Sequence, residues 1–193
     1  MNRTSSPSGA GRVALAAVMI AVTTVFTLLI RVPIPATQGY FNFSDVAIVF
    51  ASLAFGPWVG LVAGGVGTGL ADVVGGYAQW APLSLLAHGL EGLAIGLLAR
   101  RRTLPHMLVG WAAGSVIMIG LYYLGSALVL VGDWAVPLAE MPINLLQAAV
   151  GALVGIPLYY AVRRAYPPVE QMGRPVTWTE EDAPLTDDKL PRK

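Results

Sequence analysis

Most of this chain consists of apolar segments that are long enough to form membrane helices. Of its 193 residues, 55% are hydrophobic and 12% are charged, which is about half the charged share of an ordinary soluble domain. The run from Val13 to Ile30 is longer than the apolar core of a signal peptide, about 7–15 residues, so it is interpreted as a retained helix. The fold class predicted is an all-α integral membrane protein, a bundle of six transmembrane helices. The segments lie at about 12–31, 45–55, 57–75, 82–99, 106–131 and 137–163.

Local signals mark the ends of these segments. Two prolines favour extended chain in the loop 32–42. Ser44 is predicted to cap the short second helix, with Asp45 in its first turn. Pro57 suits the first position of the third helix. The predicted organisation is a cytoplasmic segment 1–11, a membrane substrate-binding domain 12–165, and a polar, acidic cytoplasmic tail 166–193 that is predicted to be disordered.

The distribution of basic residues predicts the topology. With six spans and a cytoplasmic N terminus, seven of the eight basic residues before the tail face the cytoplasm and Arg31 alone faces outward, as the positive-inside rule requires. Both termini are then cytoplasmic. The seven predicted to lie inside are Arg3, Arg12, Arg100, Arg101, Arg102, Arg163 and Arg164.

Composition excludes several classes of function. A net charge of +1 gives no argument for nucleic-acid binding, and the absence of cysteine excludes a disulfide, a thiolate metal site and a cysteine nucleophile. Two histidines, His88 and His106, argue against a multi-histidine metal site. No cofactor and no metal are therefore predicted.

Polar residues recur on one face of each of three apolar helices. Helical spacing places each set on one side of its helix, at similar depths in the outer half of the membrane. Because polar groups are costly in hydrocarbon unless they face a partner, a cavity or a ligand, the pattern predicts a buried polar pocket. The three sets are Ser84, His88 and Glu91; Ser115, Tyr122 and Ser126; and Glu140, Asn144 and Gln147.

Outward loops supply groups that could cover a ligand in such a pocket. The residues predicted to bind substrate, with the loop residues as lid contacts, are His88, Glu91, Tyr122, Asn144, Gln147, Trp80, Gln79, Asn42, Ser84 and Glu140. Structural interpretations stay open for some of these and for their neighbours. Glu91 could pair with His88, Trp80 could belong to an interfacial aromatic belt, Asp72 could pair with Arg31, and Asp45 could serve only to start its helix.

A seam of small residues runs along the first helix. Ala10, Ala14, Ala17 and Ala21 follow helical spacing, and such a seam lets another helix approach closely. That helix could belong to this bundle or to a partner.

Several segments resemble a known family. They are IPIPATQGYFNFSDVAIVFASLAFGPWVG, ADVVGGYAQWAP leading into HGLEGL, and INLLQAAVG in the last helix. In this order, within about residues 10–165, they are similar to the substrate-binding (S) components of energy-coupling factor (ECF) vitamin transporters. The nearest subgroup is the one for riboflavin, pyridoxine and the hydroxymethylpyrimidine precursor of thiamine.

This resemblance implies a function and partners. It implies a six-helix bundle in the cell membrane of a prokaryote, with an outward pocket built by helices four to six and capped by the loop after helix one. It implies that Ala17-x-x-x-Ala21 and Ala10-x-x-x-Ala14 dock a transmembrane coupling subunit, which works with two ATPase subunits. The chain has no G-x-x-x-x-G-K-[ST] phosphate loop of its own.

Three other classes of function remain as alternatives. An intramembrane enzyme could use Glu91 and His88 as an acid–base pair, although no nucleophile is evident. A solitary secondary transporter or channel for a small polar molecule would be supported by an inverted repeat, and none is evident. A purely structural membrane partner would bind no ligand.

Overall fold

The computed structural model describes residues 9–35 and 39–172 as a bundle of α-helices with one small hairpin. Five helical segments are long and apolar enough to cross a membrane, and α2 is shorter. The elements are α1 (Gly9–Leu29), β1 (Val32–Ile34), β2 (Gly39–Phe41), α2 (Ser44–Phe55), α3 (Pro57–Gly75), α4 (Ala81–Leu98), α5 (Leu104–Gly125) and α6 (Met141–Ala165). The six predicted helices are therefore present, most with ends shifted by a few residues.

Helix α2 lies inside the bundle. Its 12 residues span about 18 Å, less than the roughly 30 Å hydrocarbon core of a bilayer, and all except Phe50 are buried. It packs mainly on α6 and α3. Its residues Val49 and Leu53 belong to an apolar core that also contains Ile95 and Tyr159.

Helices α3 and α4 are in direct backbone contact. A Cβ atom added at Gly60 would lie 2.7 Å from the carbonyl oxygen of Gly92, and one at Gly65 would lie 2.7 Å from that of Leu85. Only glycine permits this approach, so the glycine-rich helix α3 packs against α4 through small residues.

The chain after α1 doubles back as a hairpin. Strands β1 and β2 are antiparallel, with Val32 opposite Phe41 and Ile34 opposite Gly39. The sequence predicts extended chain here but not the pairing, because proline at position 33 argues against a strand unless it lies at an edge.

The start of α2 differs from the prediction. Ser44 is the first helical residue and its side chain caps nothing; the residue before the helix is Phe43. The side-chain oxygen of Asn42 instead accepts a hydrogen bond of 2.7 Å from the Ser44 backbone N–H. Asn42, two residues upstream of Ser44, thus satisfies a backbone N–H at the start of the helix, which is the role predicted for Ser44.

The C-terminal end of α5 and the N-terminal end of α6 are irregular. Helix α5 continues as a π-helical turn, Ser126–Leu130, and α6 is preceded by a 3₁₀ turn, Val136–Ala139. Helix α6 therefore begins four residues later than predicted, with a proline in its first turn.

Six of the seven arginines in the described chain lie at the end of the bundle where α1 begins, and Arg31 lies at the other end. A 3₁₀ turn, Pro167–Gln171, packs back against this arginine-rich end with Val169 buried. The folded part thus extends beyond the boundary predicted at residue 165, because Glu170 pairs with Arg102 and Arg163 at 3.1 and 2.9 Å. The rest of the predicted tail, 173–193, lies outside the described residues.

Candidate functional site

A polar cavity opens at the end of the bundle that carries Arg31. The space inside it that a water-sized sphere can occupy is about 30 Å³, far below the roughly 300–1,000 Å³ of small-molecule sites, so a ligand of vitamin size requires the walls to move apart. The hairpin, α1, α3, α4, α5 and the start of α6 all contribute to it. The lining residues are Thr27, Ile34, Gly39, Tyr40, Asn42, Thr68, Asp72, Trp80, Ser84, His88, Tyr122, Glu140, Asn144 and Gln147.

Eight of the ten residues predicted to bind substrate line this cavity. The structure does not bring the other two, Glu91 and Gln79, to the cavity wall. Gln79 is exposed in the turn before α4, because Trp80 beside it is the residue that turns inward and is buried. Glu91 is completely buried one turn further along α4 than His88.

The floor of the cavity is a cluster of ionisable groups. His88 Nδ1 lies 2.9 Å from Glu91 Oε2 and 3.6 Å from Asp45 Oδ1, and all three side chains are buried. The pairing of Glu91 with His88 that the sequence left open is therefore present. Each residue offers a ligand atom within 4.8 Å of the others, so the group could also hold a cation.

A chain of hydrogen bonds joins this floor to the hairpin. The side-chain amide of Gln147 donates through Nε2 to Asp45 Oδ1 at 2.9 Å. The Oε1 atom of the same amide accepts a bond of 3.0 Å from the Asn42 backbone N–H. The side-chain oxygen of Asn42 in turn accepts from the Ser44 backbone N–H at the start of α2. Asp45 is thus more than the helix-starting residue that its position indicates, since its carboxylate also binds α6.

Aromatic side chains form one wall. The hydroxyl groups of Ser84 and Tyr122 lie 2.7 Å apart, and the ring centroids of Trp80 and Tyr122 lie 6.1 Å apart. The imidazole of His88 meets Tyr122 edge-on at 5.5 Å. Trp80 is 4% exposed, so it belongs to the cavity wall and not to an aromatic belt.

The hairpin closes the opposite side through Tyr40. Its hydroxyl donates a hydrogen bond of 2.5 Å to Asp72 Oδ1. Burial and the neighbouring Asp72 carboxylate raise the pKa of the Tyr40 phenol far above its ordinary value, so the phenol stays protonated and remains a donor. Arg31 does not take the predicted role of partner to Asp72; it donates to the Gly75 carbonyl oxygen at 3.0 Å and lies over the rings of Tyr40 and Tyr77.

Of the polar set on α5, only Tyr122 reaches the cavity. Ser115 donates to the Trp111 carbonyl oxygen one turn back at 2.8 Å, which is the usual way a serine is satisfied within an apolar helix. Ser126 is buried in the π-helical turn.

Sequence reasoning missed half a dozen lining residues. For Asp72 only pairing with Arg31 was considered, as an open interpretation, and Tyr40 lay in a loop that was predicted to be extended but not to form a hairpin. Thr27, Ile34, Gly39 and Thr68 carry no polar periodicity that could have singled them out. The hairpin pairing, which no short-range signal specified, is what brings Ile34, Gly39 and Tyr40 to the mouth.

Three carboxylate oxygens around the cavity have no hydrogen-bond partner although they are buried. They are Asp45 Oδ2, Asp72 Oδ2 and Glu91 Oε1. Unsatisfied buried acceptors are uncommon and call for an explanation. Of the three residues, Asp72 alone is among those that line the cavity, so it is the one whose carboxylate a bound ligand could reach.

The alanine seam of α1 faces outward. Ala10, Ala14, Ala17 and Ala21 are all exposed, whereas the opposite side of α1, with Met19, Thr23 and Thr27, is buried. Within the described structure the seam therefore does not pack inside this bundle.

The family model for the S component of ECF-type riboflavin transporters matches residues 10–164. The chain belongs to this family. It is accordingly a transporter subunit and a multi-pass membrane protein, and the resemblance drawn from sequence segments is confirmed.

Two individual proteins are similar to the chain over most of their own length. The chain is 40% identical over 147 residues to an uncharacterised protein of Pyrococcus woesei, covering 76% of this chain and 97% of that protein. It is 29% identical over 141 residues to the thiamine precursor transporter HmpT of Lactococcus lactis subsp. cremoris strain MG1363, covering 72% and 80%.

A solved structure of the S component of a bacterial ECF transporter has the same fold. Its TM-score with this chain is 0.62 at 23% identity, covering 82% of this chain and 98% of the solved one. The all-α membrane fold predicted from the sequence is therefore confirmed.

Proposed function

We propose that this S component captures a water-soluble vitamin or vitamin precursor in the cavity beneath the hairpin. The observation that carries the proposal is the enclosed polar cavity inside an otherwise apolar bundle, with three unsatisfied carboxylate oxygens around it. Membership of the ECF S-component family supplies the ligand class. The name of HmpT, a thiamine precursor transporter, adds support for a vitamin precursor.

The energy for release would come from partner subunits. In this proposal the exposed alanine seam of α1, at Ala10, Ala14, Ala17 and Ala21, docks a transmembrane coupling subunit that works with two ATPase subunits. Support comes from the exposure of the whole seam, since close helix approach needs small residues on the outer surface.

The proposed orientation places the arginine-rich end of the bundle in the cytoplasm of a prokaryote. Six of the seven described arginines lie at that end, in accord with the positive-inside rule. Both chain termini are then cytoplasmic, and the cavity opens to the outside.

The first test is to identify the ligand. The purified chain is denatured, and released small molecules are identified by mass spectrometry. A stoichiometric vitamin or precursor is the expected result. If none is found, and no member of a vitamin panel shifts the thermal unfolding of the purified protein, the capture role fails.

A solitary secondary transporter is the second candidate, favoured by the buried cluster of Asp45, His88 and Glu91. Intramembrane acidic and histidine groups are typical of proton and ion pathways. Uptake of the identified ligand into liposomes that contain only this chain distinguishes the two. The capture proposal expects uptake only when the coupling and ATPase subunits are present.

A further inference from the structure

A second cavity lies at the arginine-rich end of the bundle, opposite the hairpin. Its volume is about 380 Å³, within the range of small-molecule sites, about 300–1,000 Å³. The start of α1, the start of α3 and the 3₁₀ turn Ala99–Arg101 after α4 contribute to its walls. Arg12 and Arg100 are the charged residues that line it in the described chain.

These two arginines lack a counter-charge. Neither has an acidic partner within residues 9–35 and 39–172. Glu170, which lines the neighbouring pocket, is already paired with Arg102 and Arg163. Arg12 is partly buried, so its guanidinium loses part of its contact with water without gaining an ion pair. An anion that enters the cavity would offset this cost.

The beginning of α3 adds to the positive character of this cavity. Pro57 is the first residue of this 19-residue helix, and Pro57, Trp58 and Val59 all line the cavity. The N–H groups in the first turn of a helix have no partner within the helix, and the N-terminal end of a helix attracts anions. An anion bound by the two arginines would therefore also lie beside this helix end.

The apolar part of the wall favours a lipid over a soluble anion. Leu15, Val59 and Met172 line the cavity together with the arginines. Trp58 is 67% exposed, and tryptophan near a helix end is typical of the membrane interface. The cavity thus lies at the depth of lipid headgroups and offers charged groups for a phosphate beside apolar groups for the adjoining glycerol and chains.

We propose that this cavity binds the headgroup phosphate of an anionic phospholipid, with Arg12 and Arg100 donating hydrogen bonds to the phosphate oxygens. Guanidinium groups match the geometry of phosphate, and basic pockets between membrane helices on the cytoplasmic side bind phospholipid headgroups. In the orientation proposed above, the lipid belongs to the cytoplasmic leaflet. The site is separate from the cavity beneath the hairpin, so this inference does not depend on the capture function.

Lipid retention by the purified full-length chain provides the test. The chain is exchanged into detergent that contains phosphatidylglycerol or phosphatidylcholine, and bound lipid is measured by native mass spectrometry over a concentration series. One phosphatidylglycerol is expected to bind more tightly than phosphatidylcholine, whose choline cation offsets the phosphate charge. The full-length chain is used so that its acidic residues between positions 180 and 188 are present as competitors. Inorganic phosphate, added as a third probe, distinguishes a lipid site from a site for soluble anions.

Two matched double variants assign the binding to these arginines. Arg12→Gln combined with Arg100→Gln should bind phosphatidylglycerol about tenfold or more weakly than Arg101→Gln combined with Arg164→Gln, because hydrogen bonds to charged groups contribute most. The control pair removes the same charge from exposed residues at the same end, and neither residue lines the cavity. Both double variants should unfold at similar temperatures in lipid-free detergent.

Fluorescence quenching gives a second measurement that leaves both arginines in place. The quenching that is due to Trp58 is the difference between the natural chain and Trp58→Phe. In vesicles it should be larger with brominated phosphatidylglycerol than with brominated phosphatidylcholine at the same mole fraction. Equal quenching by the two lipids, or equal lipid binding by the two double variants, overturns the inference. Displacement of the lipid by inorganic phosphate at a similar concentration also overturns it, because the site would then bind a soluble anion.

Discussion

Tyr40 in the hairpin donates a 2.5 Å hydrogen bond to Asp72 on α3, and this bond fastens the outer cover of the cavity to the bundle. The two residues are 32 positions apart. The phenol is protonated at physiological pH, and burial raises the pKa of Tyr40 further, so its hydroxyl remains a donor. The bond therefore persists as long as Asp72 Oδ1 is available to accept it.

Tyr40→Phe is expected to speed ligand dissociation. The substitution keeps the ring and removes the bond to Asp72, so the hairpin opens more readily, and a hydrogen bond to a charged group is worth about 1.5–3 kcal/mol. The dissociation rate of bound ligand, measured by displacement, should rise about tenfold or more. Tyr77→Phe is the matched control, since its ring lies 4.6 Å from that of Tyr40. Equal rates in the two variants would contradict a fastening role.

Gln147→Leu is expected to lower stability. The glutamine side chain satisfies both the Asn42 backbone N–H and Asp45 Oδ1 inside the bundle, and each group left unsatisfied costs about 1–3 kcal/mol. Thermal unfolding of the ligand-free protein in detergent should therefore move several degrees downward. Gln79→Leu makes the same chemical change at an exposed position and should have little effect. If the two variants unfold at the same temperature, the network does not stabilise the fold.

Gly92→Ala is expected to separate α3 from α4. An added Cβ would lie 2.6 Å from the Gly60 carbonyl carbon, and forced overpacking typically costs about 1–3 kcal/mol. The control is Gly120→Ala on α5, where nothing lies within 4 Å of the added atom. That variant should be neutral or slightly stabilised, because alanine is the better helix former. A loss of stability in Gly120→Ala as large as in Gly92→Ala would refute the explanation by close contact.

Ala17→Trp and Ala21→Trp are expected to abolish energised uptake while leaving ligand binding intact. Both side chains are exposed, so a bulky ring is tolerated by this bundle but blocks close approach by a coupling subunit. Affinity is measured on the purified chain, and uptake in vesicles that contain the complete transporter. Ala112→Trp is the control, since it is exposed on α5 at the same distance from its helix start as Ala17 on α1. Loss of both binding and uptake would argue against the docking role.

The contact of the C-terminal turn with the bundle should depend on pH. Although burial alone would raise it, the pKa of Glu170 lies below its ordinary value, because the Tyr159 hydrogen bond and the charges of Arg102 and Arg163 favour the ionised form. A carboxyl group whose pKa is lower in the folded than in the unfolded state stabilises the fold. This stabilisation is fully present when the pH is above the unfolded-state pKa, about 4.3, and it is lost as the pH falls through the folded-state pKa. Glu170→Gln should thus be less stable than the natural chain at pH 7, by about 1 kcal/mol.

This difference should vanish when thermal unfolding is repeated below the pKa of Glu170. Arg163→Gln should lower the stability at neutral pH in the same way, because Arg163 lies 2.9 Å from Glu170. Arg164→Gln, which removes the same charge one residue away, is the control. A stability difference between Glu170→Gln and the natural chain that does not change with pH would rule out the ion pairs as its cause.

The helices were predictable because each depends on signals within a few residues. Pro57 begins α3 and a charged arginine run follows α4, and both boundaries are confirmed. Helical spacing likewise brought His88, Asn144 and Gln147 to one cavity. These features follow from periodicity and from the cost of polar groups in an apolar environment.

What the sequence did not predict depends on contacts between distant segments. Asp45 was interpreted as a helix-starting residue, because its hydrogen bond to Gln147 crosses 102 positions. Tyr40 and Asp72 meet only because the hairpin folds over α3. Gln79 was expected at the cavity because it lies in an outward loop with Trp80, but neighbouring residues in a tight turn point in different directions, and of these two only Trp80 is buried.

The backbone contact between α3 and α4 has a consequence for how the cavity opens. At Gly60, Gly65 and Gly92 the two backbones touch with no side chain between them, so we expect the pair to move as one rigid body. The opening motion must then come from elements that can change shape. These are the hairpin and the outer ends of α5 and α6, where the π-helical turn and Gly132, at a φ of 72°, provide hinge points.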